Sequence, residues 1–181
     1  RNPEIRNFMK YMKIAADAGL PKAQTRYATD SLERIDQNYA EAKNYLEKAA
    51  AQGYANAHYH LYRLYSKDKI AAEPNGKQIG LEHLKKAADL GFAKAMYQYA
   101  KLCVKRKCLK GDEDLFVKYY KMAADAGDEK AECRYGEMLS DGDGVETNLA
   151  LAAQYFERAA KQGNKKACYN LGLIYEIGDG V

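Results

Sequence analysis

Five copies of one nine-residue frame, Ala-Ala-x-x-Gly-x-x-x-Ala, constrain this chain more than any other feature in it. They read AADAGLPKA at 15–23, AAAQGYANA at 49–57, AADLGFAKA at 87–95, AADAGDEKA at 123–131 and AAKQGNKKA at 159–167. The central glycines, Gly19, Gly53, Gly91, Gly127 and Gly163, follow one another at 34, 38, 36 and 36 residues. A period in this range marks stacked supersecondary units, none of which can bury its apolar faces alone.

Each glycine divides two helical patterns. Upstream, apolar residues recur at i, i+3, i+4 and i+7, as in Phe116, Tyr119, Tyr120, Ala123 and in Ala152, Tyr155, Phe156, Ala159. The same stripe reads Phe8, Tyr11, Met12, Ala15, then Ala42, Tyr45, Leu46, Ala49, then Gly80, His83, Leu84, Ala87. This is helix A. Downstream, Ala57, Leu61, Leu64 and Tyr65, or Ala167, Leu171 and Ile174 with Tyr175, give helix B. The glycine between them supplies a left-handed cap that a Cβ resists, and the flanking alanines let the helices approach closely. The links from B to the next A vary. One is SDGDGVETN, in which Asp141, Asp143 and Thr147 offer turn or N-cap oxygens. A longer one holds the turn Pro74-Asn75-Gly76.

The expected fold is therefore all-α: a right-handed superhelical α-solenoid of about five antiparallel helix pairs, with units near 3–36, 37–74, 75–110, 111–146 and 147–181. The connector Gly142-Asp143-Gly144-Val145 recurs at Gly178 to Val181, one repeat later, so a longer array is expected, with the outer side of the last helix B partly bare.

The chain carries 29 basic and 25 acidic residues, a mixed surface unlike the one-sign field that nucleic acid attracts. No apolar run approaches the roughly 18 residues of a membrane span. The four cysteines, Cys103, Cys108, Cys133 and Cys168, make no C-x-x-C pair and read as small buried residues, so no metal is expected. No Asn-x-Ser/Thr acceptor occurs, a lean away from a glycosylated secreted protein and toward the cytoplasm.

AAxxGxxxA, the L-G-x-x-Y of Leu171 to Tyr175, and the closing GxGV together resemble the Sel-one-like repeat family, a tetratricopeptide-like class. The resemblance implies an adaptor or scaffold. Relatives act in endoplasmic-reticulum degradation complexes, chitin-synthase activation, signalling and bacterial contacts with host proteins. Cysteine-rich relatives clamp each helix pair with a disulfide, a pairing this sequence lacks. In tetratricopeptide-like solenoids the A helices line the concave side, so the face of helix A opposite its apolar stripe is the expected partner-binding surface. It presents Lys10 and Lys13; Asn44 and Glu47; Glu82, Lys85 and Asp89; Lys118, Lys121 and Asp125; and Gln154 and Glu157. A protein or peptide partner is expected there, and self-association through the array end is a further expectation.

Catalytic chemistry has little to stand on. His58 and His60 are two apart on a helix and point to different sides, and His83 fills a slot held by Tyr in other units. Ser66-Lys67-Asp68-Lys69 matches S-x-x-K, a motif of enzymes that react with β-lactams, but neither K-T-G nor S-D-N accompanies it. A basic cluster, Lys101, Lys105, Arg106, Lys107 and Lys110, is the RNA-binding alternative; cations complementing a helix C-terminus are the better account, since Asp112, Glu113 and Asp114 follow this single patch at once. No catalytic residue, cofactor or nucleic-acid partner is expected.

Overall fold

The computed structural model describes residues 3–33, 38–66 and 75–178. Among them are ten α-helices, one 3-10 turn at Glu113–Leu115, and no strand. The A helices are α1 (Pro3–Asp17), α3 (Tyr39–Ala51), α5 (Gly76–Asp89), α7 (Phe116–Asp125) and α9 (Leu149–Lys161). The B helices are α2 (Pro21–Leu32), α4 (Ala55–Ser66), α6 (Ala93–Val104), α8 (Glu129–Asp141) and α10 (Lys165–Ile177). The chain forms two compact units, Arg1–Leu90 with α1 to α5 and Gly91–Val181 with α6 to α10. Within each, every helix packs on its neighbours in sequence.

The five repeat glycines all have positive φ, between 76° and 91°. At Gly19, Gly53, Gly127 and Gly163 an added Cβ would meet nothing within 4 Å. Backbone conformation, not lack of room, therefore demands glycine there. The alanines beside them close the core: Ala49, Ala57, Ala87, Ala95, Ala123, Ala131, Ala159 and Ala167 are fully buried. Side-chain caps start four of the helices. Asn38, Asp128, Asn148 and Asn164 each accept a hydrogen bond from the backbone N–H three residues on, at 2.9–3.0 Å.

Gly136 is glycine for a different reason. A Cβ on it would stand 2.7 Å from the Phe156 ring of the following helix. Gly136→Ala is expected to cost about 1–3 kcal/mol by overpacking, despite the better helix propensity of alanine. A urea melt checks this; an unchanged midpoint would show that Phe156 moves aside freely.

Four sequence expectations need correction. The connector's N-cap is Asn148, not Asp141, Asp143 or Thr147; Asp143 instead pairs with Arg134 at 2.7 Å. The stripe of α1 is only partly buried: Phe8 and Tyr11 are exposed, while Met12 and Ala15 are half-buried against the core. Cys168 is exposed and Cys108 half-buried, while Cys103 and Cys133 are buried as expected. His83 is more than a substitute for Tyr, because it forms a polar pair described below. Arg34–Gln37, Lys67–Pro74 and Asp179–Val181 lie outside the described residues, and with them Lys69, Pro74 and most of the second GDGV copy.

Candidate protein-binding face

Helical periodicity sets where the polar row falls. In the first unit Lys10, Lys13, Asn44, Glu47, Glu82 and Asp89 are exposed and Lys85 is half-buried. In the second unit Lys118, Lys121, Asp125, Gln154 and Glu157 are all exposed. The helices α3, α5, α7 and α9 thus turn most of these side chains outward and their apolar stripes toward the core.

Several members of the row are tied into the fold. The Tyr45 hydroxyl donates to Asp17, and Lys13 Nζ donates to Tyr45 Oη at 2.8 Å and to Glu41 at 3.1 Å. The Tyr45 bond, against some loss from burial, holds the Lys13 ammonium above the usual lysine range. In the second unit the Tyr155 hydroxyl donates to Asp125 Oδ1 at 2.6 Å, and Lys121 donates to Asp125 Oδ2 at 2.6 Å. Burial pushes the Asp125 carboxyl up, but these two bonds outweigh it and leave the group below its ordinary value. The tyrosine rings are also structural. Tyr45 meets Tyr27, and Tyr155 meets Tyr135, edge to face with centroids 5.1 and 5.0 Å apart. These rungs link α3 to α1 and α2, and α9 to α7 and α8. They fix the spacing of the exposed side chains between them.

A second set of polar links lies deeper, and the sequence reading missed it. Gln52 Nε2 donates to the Gly19 carbonyl at 3.0 Å and to Gln24 Oε1 at 3.1 Å. Three repeats later, Gln162 Nε2 donates to the Gly127 carbonyl at 3.3 Å and to Glu132 Oε2 at 2.8 Å. The buried Glu132 also pairs with Arg158 at 2.8 Å. The signal was available: a polar residue five after the repeat glycine, matched by Gln just before the next one.

Between α4 and α5 both links are missing. Ala51 stands where Asp17 and Asp125 stand in other repeats, and Leu90 where Gln52 and Gln162 stand. There His58 and His83 meet, Nδ1 to Nδ1, at 2.8 Å, with Tyr65 stacked on the His83 ring at 6.1 Å. One neutral ring donates and the other accepts. Burial, and then the Lys86 ammonium, push His58 down; burial, then His58, Lys86 and Lys43, push His83 down to about 4. Among the described residues no three His, Cys, Asp or Glu converge to hold a metal ion.

The other candidates are not drawn together. Ser66 closes α4 and donates its hydroxyl to the Arg63 carbonyl at 3.1 Å. Lys101, Lys105, Arg106, Lys107 and Lys110 are exposed at and beyond the end of α6. No described helix is long and apolar enough to cross a membrane.

Residues 21–54, 57–92, 93–128, 129–164 and 165–181 match the Sel1 repeat model. The chain belongs to the Sel1 repeat family. The first four matched segments open on a helix B and close on the next helix A, half a unit out of phase with an A–B division, and the fifth holds α10 alone. A protective antigen of uropathogenic Escherichia coli strains with an SLR fold is 27% identical, with a TM-score of 0.78 over 96% of this chain and 37% of its own. A Sel1 repeat protein from Oxalobacter formigenes is 27% identical, with a TM-score of 0.82 over 92% of this chain and 48% of its own. A Pseudomonas aeruginosa protein at 20% identity shares the fold, with a TM-score of 0.59 over 92% of this chain and 61% of its own. The chain thus spans less than half the length of the first two. No curated protein matches it. Sel1 repeat proteins generally mediate protein–protein interaction and are typically non-catalytic.

Proposed function

We propose that this Sel1 repeat chain is a non-catalytic scaffold that holds a segment of a partner protein against the polar faces of its A helices. The observation that carries this reading is the repeat-spaced row of exposed side chains on helices locked together by tyrosine rungs. A surface already rigid loses little entropy on binding, so modest polar contacts suffice to set the register of a bound segment. In the first unit Asn44, Glu47, Glu82 and Lys85 offer such contacts; in the second, Lys118, Gln154 and Glu157. Asp125 and Lys13 serve the rungs first.

Charge reversal within each unit tests the reading. Once a partner has been captured and identified by crosslinking, Glu82→Lys/Lys85→Glu and Lys118→Glu/Lys121→Glu are each compared with the unaltered chain by calorimetry. At least one pair is expected to weaken binding tenfold or more, about 1.4 kcal/mol, while the helical melt keeps its cooperativity. Unchanged affinity in both variants would move binding off the A-helix face.

A further inference from the structure

Ten and fourteen residues after each repeat glycine, helix B carries a pair of side chains one turn apart. In four repeats the pair is polar: Thr29 and Glu33, Arg63 and Lys67, Lys101 and Lys105, Glu137 and Asp141. In α10 it is Leu173 and Ile177, which are 39% and 68% exposed. Stacking of one repeat on the next does not ask for this change. The side of α8 that α9 covers carries Glu132, Tyr135 and Gly136. At about 100° per residue, Leu173 and Ile177 lie roughly opposite the equivalent side of α10.

The two side chains instead line a cavity of about 450 Å³ between α8 and α10, a size ordinary for a ligand site. Leu149 and Phe156 of α9 and Ile174 of α10 line its apolar part. Polar groups stand toward its two ends. At one, Glu137 is already satisfied: Lys166 pairs with Oε1 at 2.7 Å, Asn170 donates to the same oxygen at 3.5 Å, and Arg134 reaches Oε2 at 3.3 Å. At the other, α8 ends on Asp141 and α10 on Ile177. Asp141 is exposed and pairs with no cation among the described residues. Two helix C-termini add their negative ends to this carboxylate. The N-terminus of α9 opposes them at Leu149, but Asn148 already caps it. The groove therefore has an apolar middle and one negative end.

We propose that this groove is a binding site of its own, on the B helices, for an extended segment of a partner protein. The segment sets apolar side chains on Leu173 and Ile177 and a Lys or Arg beside Asp141. From Lys166 to Ile177 the wall is about 16 Å of helix, the span of about five extended residues. The site shares no residue with the A-helix row and stands whether or not that row binds.

An NMR titration of the full chain with capped pentapeptides tests this. The probes are Leu-Ser-Leu-Gly-Arg and the same sequence ending in Glu, each acetylated and amidated so that no terminal charge interferes. The arginine peptide is expected to shift the amides of Ser140, Asp141, Leu173 and Ile177 saturably, with a Kd at least fivefold below that of the glutamate peptide. Asp141→Asn should cut this preference to less than twofold. Leu173→Thr/Ile177→Glu copies the residues of α2. It adds an acid yet should abolish binding, because the apolar wall is gone; both positions are exposed, so its thermal melt should stay cooperative. The proposal falls if neither peptide shifts those amides, if the two bind alike, or if Asp141→Asn keeps the preference. It falls equally if Leu173→Thr/Ile177→Glu still binds, since the contact is then electrostatic alone. Dimers on sedimentation with the same amides shifted would also overturn it, because a second copy then fills the groove.

Discussion

Arg158→Met is expected to destabilise the second unit by about 3 kcal/mol, far more than Glu132→Gln, at about 1 kcal/mol. The two partners differ in what surrounds them. The Glu132 side chain is 2% exposed and that of Arg158 44%. Removing the guanidinium leaves a carboxylate shut away from water, and a buried charge without its counter-ion is the costliest outcome. Gln162 still donates to Glu132, and the first turn of α8 offers the positive end of the helix dipole, which keeps the loss at the lower end of the range for a broken buried pair. Arg158 also donates to the Ala124 carbonyl at 2.7 Å, a bond lost in the same substitution. Methionine keeps most of the aliphatic stem, so lost packing contributes little. Removing the carboxylate is milder, because Arg158 can turn to solvent and glutamine still accepts from it. Urea melts of both single variants and the double variant check the ranking. Equal losses for the two singles would contradict the asymmetry, and the double variant should be more stable than Arg158→Met alone.

The same pair shows what was and was not legible in the sequence. The period, the helix pairing and the glycine caps depend on local rules, repeated five times, and all can be read from one chain. The outward row on the A helices follows from the same helical spacing. The polar links between repeats depend on residues roughly 30 positions apart, each of which looks like a surface residue alone. Glu132 reads as an exposed helix-start acid until α9 is laid over it. Comparing repeats with one another supplies the missing signal. Where Asp stands two before the glycine at 17 and 125, Tyr stands eight before the next glycine, at 45 and 155. Where Ala51 replaces the Asp, His83 replaces the Tyr. In α1 the pattern is right but covers only half of the stripe: Met12 and Ala15 pack on the core, while Phe8 and Tyr11 are exposed.

That substitution also yields a pH dependence. Both histidines are held below their ordinary value of 6.5, His83 down to about 4. The unfolded chain therefore binds more protons than the folded one between those values, and stability falls as pH falls. The contribution is complete above about pH 6.5 and disappears toward pH 4. For His83 alone the loss between pH 7.5 and pH 5 is about 2 kcal/mol, and His58 adds to it in the same direction. The Lys86 ammonium beside both rings, and Lys43 beside His83, add to the penalty on the new charge. Rebuilding the rung of the neighbouring repeats should remove most of this. In Ala51→Asp/His83→Tyr the new hydroxyl can donate to the new carboxylate, as Tyr45 does to Asp17 and Tyr155 to Asp125. His83→Tyr alone gains a hydroxyl with no carboxylate to meet and should be less stable than the double variant at pH 7.5. Thermal melts at pH 7.5 and pH 5 separate the cases. The unaltered chain should lose several degrees at the lower pH, and the double variant less than half as much. Equal losses in the two would place the acid sensitivity outside the His58–His83 pair.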